Sequence, residues 1–283
     1  MKKVLVTGAN GQLGQCLQEL SKRHATIQFV FSGSKELDVT NKESVKAIFE
    51  STSFDFCINC AAYTAVDLAE SDSDNAKKIN VLGVKYLAES CEENNTKLIH
   101  MSTDFVFDGT SNIPYTENDE TKPLSVYGKT KLEGEIAIQN TLEEFFILRT
   151  SWLYSEYANN FMKTMLRLGA ERSELGVISD QIGSPTYAKD LARAIVKIIE
   201  LNSNEYGVYN YSNEGVASWY DFAKAIFEIS NTEIIVNAIP TSSYPTPAER
   251  PHYSVLDKSK LKTNLGIEIP YWRDSLKEAM SKV

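Results

Sequence analysis

The sequence predicts an α/β fold in which a parallel sheet carries helices on both faces and a smaller carboxyl-terminal lobe lies over the strand ends. Short aliphatic runs alternate with helix-length stretches, a spacing that suits crossover connections between parallel strands. A Gly-x-x-Gly-x-x-Gly turn sits where the first run ends, and the alternation loosens beyond about residue 150.

Val4, Leu5 and Val6 form a compact strand that stops at Thr7-Gly8, after which Gly8, Gly11 and Gly14 lead into Leu17 and Leu20 at helical spacing. Residues 27–31 read as a second strand, 44–49 as a short helix, and 54–59 as a third strand running into Cys60-Ala61-Ala62. A helical stretch over 75–92 precedes a buried strand at 97–101. Next come a helix at 127–138, a strand at 145–149 and a helix at 161–168. The remainder holds Gly-Val-Ile-Ser-Asp at 176–180, helices at 189–201 and around 219–229, and a proline-rich segment at 240–251. The expected division is a predominantly nucleotide-binding, Rossmann-like domain over 1–150 and a predominantly substrate-binding lobe over 151–283, some of whose segments return to the first domain.

Composition narrows the function classes. Hydrophobic residues make up 42% of the 283 and charged residues 24%, an ordinary globular balance. Twenty-nine basic against 38 acidic residues leave a net charge of −9, so neither nucleic acid nor an anionic membrane is an expected partner. With no secretory leader, no apolar run near the ~20 residues of a membrane helix, and four cysteines (16, 57, 60, 91), a reduced cytoplasmic protein is expected. Cys57 and Cys60 have metal-ligand spacing, but no second pair follows and the three histidines (24, 100, 252) are scattered, so the expectation is packing and no zinc. His100, in an apolar strand, is expected to pack or to make one hydrogen bond.

The glycine turn carries the first chemistry. Gly8 suits a tight turn, Gly11 a close backbone approach to pyrophosphate and Gly14 close helix packing, with the helix amino terminus facing the anion. Asn10, Gln12 and Leu13 complete this cofactor-binding segment. An NAD-binding fold offers Asp or Glu to the ribose about 20 residues later. Here 31–35 reads Phe-Ser-Gly-Ser-Lys, so Ser32, Ser34 and Lys35 are candidates for a 2′-phosphate. NADPH is therefore the expected cofactor, with NADH the alternative. Asp38 is a candidate for the adenine edge, or an acidic turn residue needing no ligand.

A second constellation follows. Thr103 ends a buried strand, and Tyr127 and Lys131 lie four residues apart, one helical turn, so both can face one cleft. A phenol can protonate a developing alkoxide if an ammonium lowers its pKa, while a threonine hydroxyl bonds the reacting oxygen and the lysine also holds the nicotinamide ribose. Thr103, Tyr127 and Lys131 are the expected catalytic residues of a dehydrogenase or reductase. Trp152 could stack on a base or pack in the core. Arg250, in a Pro-flanked segment, offers a fork of donors to a diphosphate or forms a surface ion pair.

Longer blocks run through nearly the whole chain: 59–67 Asn-Cys-Ala-Ala-Tyr-Thr-Ala-Val-Asp, 102–109 Ser-Thr-Asp-Phe-Val-Phe-Asp-Gly, 127–135 Tyr-Gly-Lys-Thr-Lys-Leu-Glu-Gly-Glu and 149–154 Arg-Thr-Ser-Trp-Leu-Tyr. Asp180-Gln181 with Gly183 and Pro185-Thr186 follow, then Arg250-Pro251 before Ser254 and Leu256. With the glycine turn, these blocks resemble the extended short-chain dehydrogenase/reductase family. The closest likeness is to its branch that reduces the C4 ketone of dTDP-6-deoxy-L-lyxo-4-hexulose to dTDP-L-rhamnose with NADPH or NADH. The resemblance implies that Thr103 polarises the carbonyl, Tyr127 donates the proton, and Lys131 tunes Tyr127 and binds ribose. It implies that Ala61, Ala62 and Tyr63 line the cofactor, and that Val66, Asp104 and Trp152 face a dTDP-sugar. Some relatives join subunits through carboxylate-bound magnesium near the start of the first helix. Gln15 stands where that carboxylate is wanted, so no metal and a monomer or weak homodimer are expected. Two alternatives stay open: a related nucleotide-sugar epimerase or dehydratase holding NAD tightly, and a nonenzymatic NADP-binding regulator.

Overall fold

The structure, a computed structural model, describes all 283 residues. Five strands come from the first 150 residues: β1 (Lys2–Thr7), β2 (Ile27–Ser32), β3 (Phe56–Asn59), β4 (Lys97–Thr103) and β5 (Phe145–Thr150). Between them run α1 (Gln12–Ser21), α2 (Lys42–Ser51), α3 (Val66–Ala69), α4 (Ser73–Lys77), α5 (Val84–Glu93) and α6 (Val126–Gln139).

The strands are apolar on both faces because both are covered. In β1, Val4 and Val6 join the core under α1 while Leu5 joins the core under α2 and α5; in β3, Phe56 and Ile58 divide from Cys57 in the same way. Two-residue alternation thus distributes one hydrophobic run between two cores. It also puts Cys57 on one face while Cys60 packs toward the other, so their spacing builds no joint site.

The expected helix over 75–92 is interrupted. Lys78–Gly83 forms a π-helical turn between α4 and α5, and it directs the buried side chain of Asn80 inward. There Asn80 Oδ1 accepts from Tyr63 N–H at 2.9 Å, and Nδ2 donates to Tyr63 O and to Thr130 Oγ1, both at 3.1 Å. The distortion pins the loop after β3 to α6.

Past residue 150 come β6 (Leu153–Tyr154), α7 (Phe161–Glu171), β7 (Glu174–Ile178), β8 (Ile182–Gly183), β9 (Thr186–Tyr187), α8 (Ala188–Leu201) and β10 (Gly207–Asn210). Then follow β11 (Ala217–Ser218), α9 (Trp219–Ser230), β12 (Ile235–Ile239), α10 (Ser259–Leu265) and α11 (Trp272–Met280). The last two helices and β10 were not among the elements read from the sequence. β10 pairs with β5 and so joins the main sheet, whose order is β10-β5-β4-β3-β1-β2 with every pair parallel, and α8 packs beside α1 on one of its faces. A separate core gathers Tyr154, Met162, Phe222, Ile226, Trp272 and Leu276 from β6, α7, α9 and α11. No helix is long and apolar enough to cross a membrane.

Candidate active site

The chain runs from β1 to β2 on one side and returns to β3 on the other, so the carboxyl ends of β1 and β3 flank a crevice where the winding reverses. Gly8 follows β1 at φ +61°, a left-handed conformation, and a Cβ there would lie 2.6 Å from the backbone N of Ala61. Backbone therefore meets backbone. Gly11 caps α1 in extended conformation with no side-chain cap, leaving the first-turn N–H groups to an outside acceptor. A cavity of about 520 Å³ opens here, lined by Gly8, Asn10, Gly11, Asp38, Ala61 and Ala62 among others.

The residues expected around the ribose divide. Ser34 lines this cavity, but Ser32 is buried at the end of β2 and Lys35 points to solvent. The turn is not free of carboxylates: Glu36 folds back so that its Oε2 accepts from Gly33 N–H at 2.9 Å. Asp38 Oδ1 accepts from Thr40 N–H and Oγ1–H at 2.9 and 2.8 Å, as an acidic turn residue does, while also lining the cavity. Tyr63 lies off the cavity wall and donates its hydroxyl to Asp72 at 3.0 Å. Thr40, Asn75 and Lys78 line the same cavity and were not found from sequence. Asn75 and Lys78 belong to an ordinary-looking helical stretch, and only the packing of the π-helical turn shows which face is inward.

Gly8, Gly11 and Ala62 also border a second cavity of about 520 Å³, which holds Thr103, Asp104, Tyr127, Lys131, Val66 and Trp152. The two cavities meet over the glycine turn. β4 delivers Thr103 at its carboxyl end, and Ser125 caps α6 by accepting from Gly128 N–H at 3.2 Å, setting Tyr127 and Lys131 in the first turns. The Tyr127 ring meets Phe105 edge-on at 5.5 Å.

The electrostatics differ from the sequence expectation. Burial pushes the Tyr127 phenol up to about 12, against a hydrogen bond with Thr103, whereas a neighbouring ammonium was expected to lower it. Lys131 lines the same cavity, but its hydrogen bonds go behind it: Nζ donates to Met101 O at 2.6 Å and lies 3.2 Å from His100 Nε2. Burial lowers Lys131 to about 8, with Glu135 opposing. The phenol thus stays protonated at neutral pH, the form a proton donor needs. His100 is fully buried and meets two partners, Lys131 and Asn59, instead of one. Asp104 is also buried, which raises its carboxyl to about 6 against hydrogen bonds from Ser254 and Thr103.

The other lobe supplies the far wall. Trp152 adopts φ +48°, strained for a bulky residue, and stacks on Trp219 at 3.6 Å and 8°. One face of its ring is therefore packed while the side chain still borders the cavity, so the two readings of Trp152 coexist. Arg250 is committed to Asp67: Nη1 donates to Oδ1 at 2.9 Å and Nη2 to Oδ2 at 2.8 Å, with Thr246 and Ala248 taking further bonds. The ion-pair reading describes its geometry, and the fork is not open to a diphosphate.

Gln12 does more than complete the glycine segment. Its Oε1 accepts from Ser155 Oγ at 2.9 Å and Asn160 Nδ2 at 3.0 Å, clamping the loop before α7 to the start of α1. Leu13 packs into the main core and also borders the catalytic cavity. Gln15, at the position examined for a metal ligand, donates Nε2 to Asn10 O at 2.9 Å.

Comparison with known proteins agrees with this geometry. A family model described as the RmlD substrate binding domain matches residues 1–283. The dTDP-4-dehydrorhamnose reductase of Aggregatibacter actinomycetemcomitans is 44% identical over 287 residues, covering 98% of each chain. The spore coat polysaccharide biosynthesis protein SpsK of Bacillus subtilis (strain 168) is 40% identical over 282 residues, covering 100% of this chain and 98% of its own. A crystal structure of dTDP-4-dehydrorhamnose reductase from Bacillus anthracis str. Ames in complex with NADP superposes with a TM-score of 0.96 at 40% identity, covering 100% of both chains. Matched from its first residue to its last by the family model, the chain belongs to the RmlD family of dTDP-4-dehydrorhamnose reductases.

Proposed function

We propose that this chain reduces the C4 ketone of dTDP-6-deoxy-L-lyxo-4-hexulose to dTDP-L-rhamnose, with NADPH as the preferred donor and NADH as the alternative. The observation that carries the reading is the placement of Thr103, Tyr127 and Lys131 in a cavity continuous with the glycine turn. The residues present suit a dinucleotide. Gly8 lets two backbones meet, and a Cβ on Gly11 would meet only Gly8 O, at 3.3 Å, so the space above the helix start is open. A relative of matching length was solved in complex with NADP, which supports the same assignment.

When bound, the reduced nicotinamide supplies a hydride to C4. Thr103, whose hydroxyl donates to Asp104 Oδ1 at 3.1 Å, turns that hydrogen to the ketone oxygen and orients it. Tyr127 transfers its phenolic proton to that oxygen as negative charge develops there. Lys131, as an ammonium, stabilises the phenolate left behind and holds the ribose hydroxyls. Ketone, hydride and one proton give the alcohol, so the balance needs no metal.

Gly8, Asn10, Gly11, Gln12, Leu13 and Gly14 shape the cofactor floor, with Asp38, Ala61 and Ala62 beside it. Val66, Asp104 and Trp152 face the sugar nucleotide. Arg250 acts by fixing Asp67 next to Val66. The body built on β6, α7, α9 and α11 serves as the substrate lobe. We place the reaction in the cytoplasm, carried out by a monomer or weak homodimer.

The test is the loss of NADPH absorbance on adding freshly generated dTDP-6-deoxy-L-lyxo-4-hexulose, with dTDP-L-rhamnose identified in the product. Stoichiometric oxidation is expected. NADPH binding without turnover would exclude this substrate and favour a regulator; conversion of other nucleotide sugars with no net oxidation would favour an epimerase.

A further inference from the structure

Behind Lys131 lies a buried hydrogen-bond chain that the mechanism does not use. Thr7 Oγ1 donates to Asn59 Oδ1 at 2.6 Å, and Ala61 N–H donates to the same oxygen at 3.1 Å. A backbone N–H can only donate, so the Asn59 carboxamide has one orientation: oxygen toward Ala61, Nδ2 toward His100 Nδ1 at 3.0 Å. An amide NH2 also only donates. Nδ1 must therefore be the bare nitrogen of the ring, and a neutral imidazole then carries its hydrogen on Nε2.

That hydrogen points at Lys131 Nζ, 3.2 Å away. An ammonium has no lone pair to receive it, whereas an amine has one. With Lys131 uncharged, every member is satisfied: Nε2–H donates to Nζ, Nζ donates to Met101 O, and a second Nζ hydrogen remains for the cleft. With Lys131 charged, two donors face each other unless the ring changes tautomer and opposes Asn59 instead.

We propose that His100 is a positioning residue for the reduction: in the tautomer imposed by Asn59 its Nε2–H is a partner only for the amine form of Lys131, and by favouring that form it sets the pH above which Lys131 loses its charge. This rests on the proposed reductase mechanism, in which the ammonium stabilises the Tyr127 phenolate. Besides His100, the charged neighbour of Lys131 is Glu135 one turn later on α6, while Tyr127 one turn earlier and Asp104 just past β4 share its cavity. Glu135 is held by Arg149 Nη2 at 2.7 Å and by Ser102. None of these supplies a donor to the Nζ lone pair in the way His100 does. Burial already brings Lys131 down to about 8, and Tyr127 near 12 lies too high to produce the same limit.

Two measurements on the full chain test the assignment. Long-range proton–nitrogen correlation of the histidine rings is tractable because only His24, His100 and His252 contribute. Recorded above the alkaline break, where Lys131 is an amine, the expected result is a protonated Nε2 and a bare Nδ1 at His100; the opposite tautomer there overturns the proposal. Asn59→Asp keeps an oxygen for Ala61 N–H but turns the other position into an acceptor, which reverses the tautomer and lets Nε2 accept from the ammonium. In the parent, kcat should fall about tenfold one pH unit above its alkaline break. In Asn59→Asp that break should move up by about one unit or more. A reversed tautomer with an unmoved break would show that His100 is merely structural. If Asn59→Asp does not fold, the parent spectrum still decides. The ring measurement needs no substrate, so the expected tautomer in a chain that fails to turn over counts against the reductase reading and not against this contact.

Discussion

The glycine-turn side of the cleft, at β1 and β3, is shaped by backbone, whereas the opposite side, at β4, β5 and α6, is shaped by side chains. On the first side Gly8 brings two strand ends within touching distance, and the N–H groups of α1 face outward without a side-chain cap. Nothing there needs to titrate. On the second side Lys131, His100 and Asp104 are buried and Tyr127 is half-buried, and loss of solvent moves each away from its ordinary ionisation range. A pyrophosphate has fixed charge and needs donors at fixed places, which backbone provides. A ketone that becomes an alcohol needs a proton, which only a side chain can hold and release.

Substitutions that affect one side without the other sharpen this contrast. The largest effect is expected from Tyr127→Phe, which removes the proton donor and should lower kcat by about 10²–10⁴-fold. NADPH affinity, followed by its fluorescence, should change little; turnover near the parent rate would break the division of labour.

Gly8→Ala attacks the other side. The added Cβ meets Ala61 N at 2.6 Å and the residue must keep φ +61°, costing about 1–3 kcal/mol. Titration calorimetry should show NADPH binding weakened about tenfold or more, with a lowered melting temperature. Parent-like binding would mean that the turn is not where the cofactor sits.

Asp104→Asn separates stability from function. The native carboxyl keeps its proton up to about pH 6, while the unfolded chain releases it near 4, so the native state binds more protons between those values and stability falls as pH rises. The variant escapes this loss and should be more stable at pH 7 by about 2–3 kcal/mol, with the advantage gone below about pH 4. Denaturant unfolding at both pH values checks the sign. Weaker sugar-nucleotide binding in the same variant would show that the parent retains an unfavourable buried acid for recognition.

Arg250→Ala should have the smallest effect, because its pair with Asp67 is partly exposed and worth about 1 kcal/mol. KM for the sugar nucleotide should rise several-fold with NADPH binding unchanged. A much larger loss would show that the guanidinium leaves Asp67 for the substrate.

The same contrast explains what was legible beforehand. The glycine turn is local: Gly8, Gly11 and Gly14 lie within one strand-turn-helix, and their spacing carries their geometry. Tyr127 and Lys131 are likewise one turn apart. Thr103 was legible as a strand end, although its meeting with Tyr127 needed the sheet. Arg250 was not legible, because an arginine beside prolines has the same appearance whether its partner is a phosphate or Asp67, 183 residues away. Trp219, Lys78 and the Gln12 clamp were missed for a similar reason.

The sequence by itself determined the alternation of strands and helices, the glycine turn and the one-turn spacing of Tyr127 and Lys131, since each depends on hydrophobic period or on residues within a few positions. Only the tertiary structure decided which buried groups face one another: Asn59 and His100 behind Lys131, Trp219 beneath Trp152, β10 at the edge of the main sheet. Ionisation follows from that second set, because the energy of a charge depends on what surrounds it once water is excluded, and those surroundings come from strands and helices far apart along the chain.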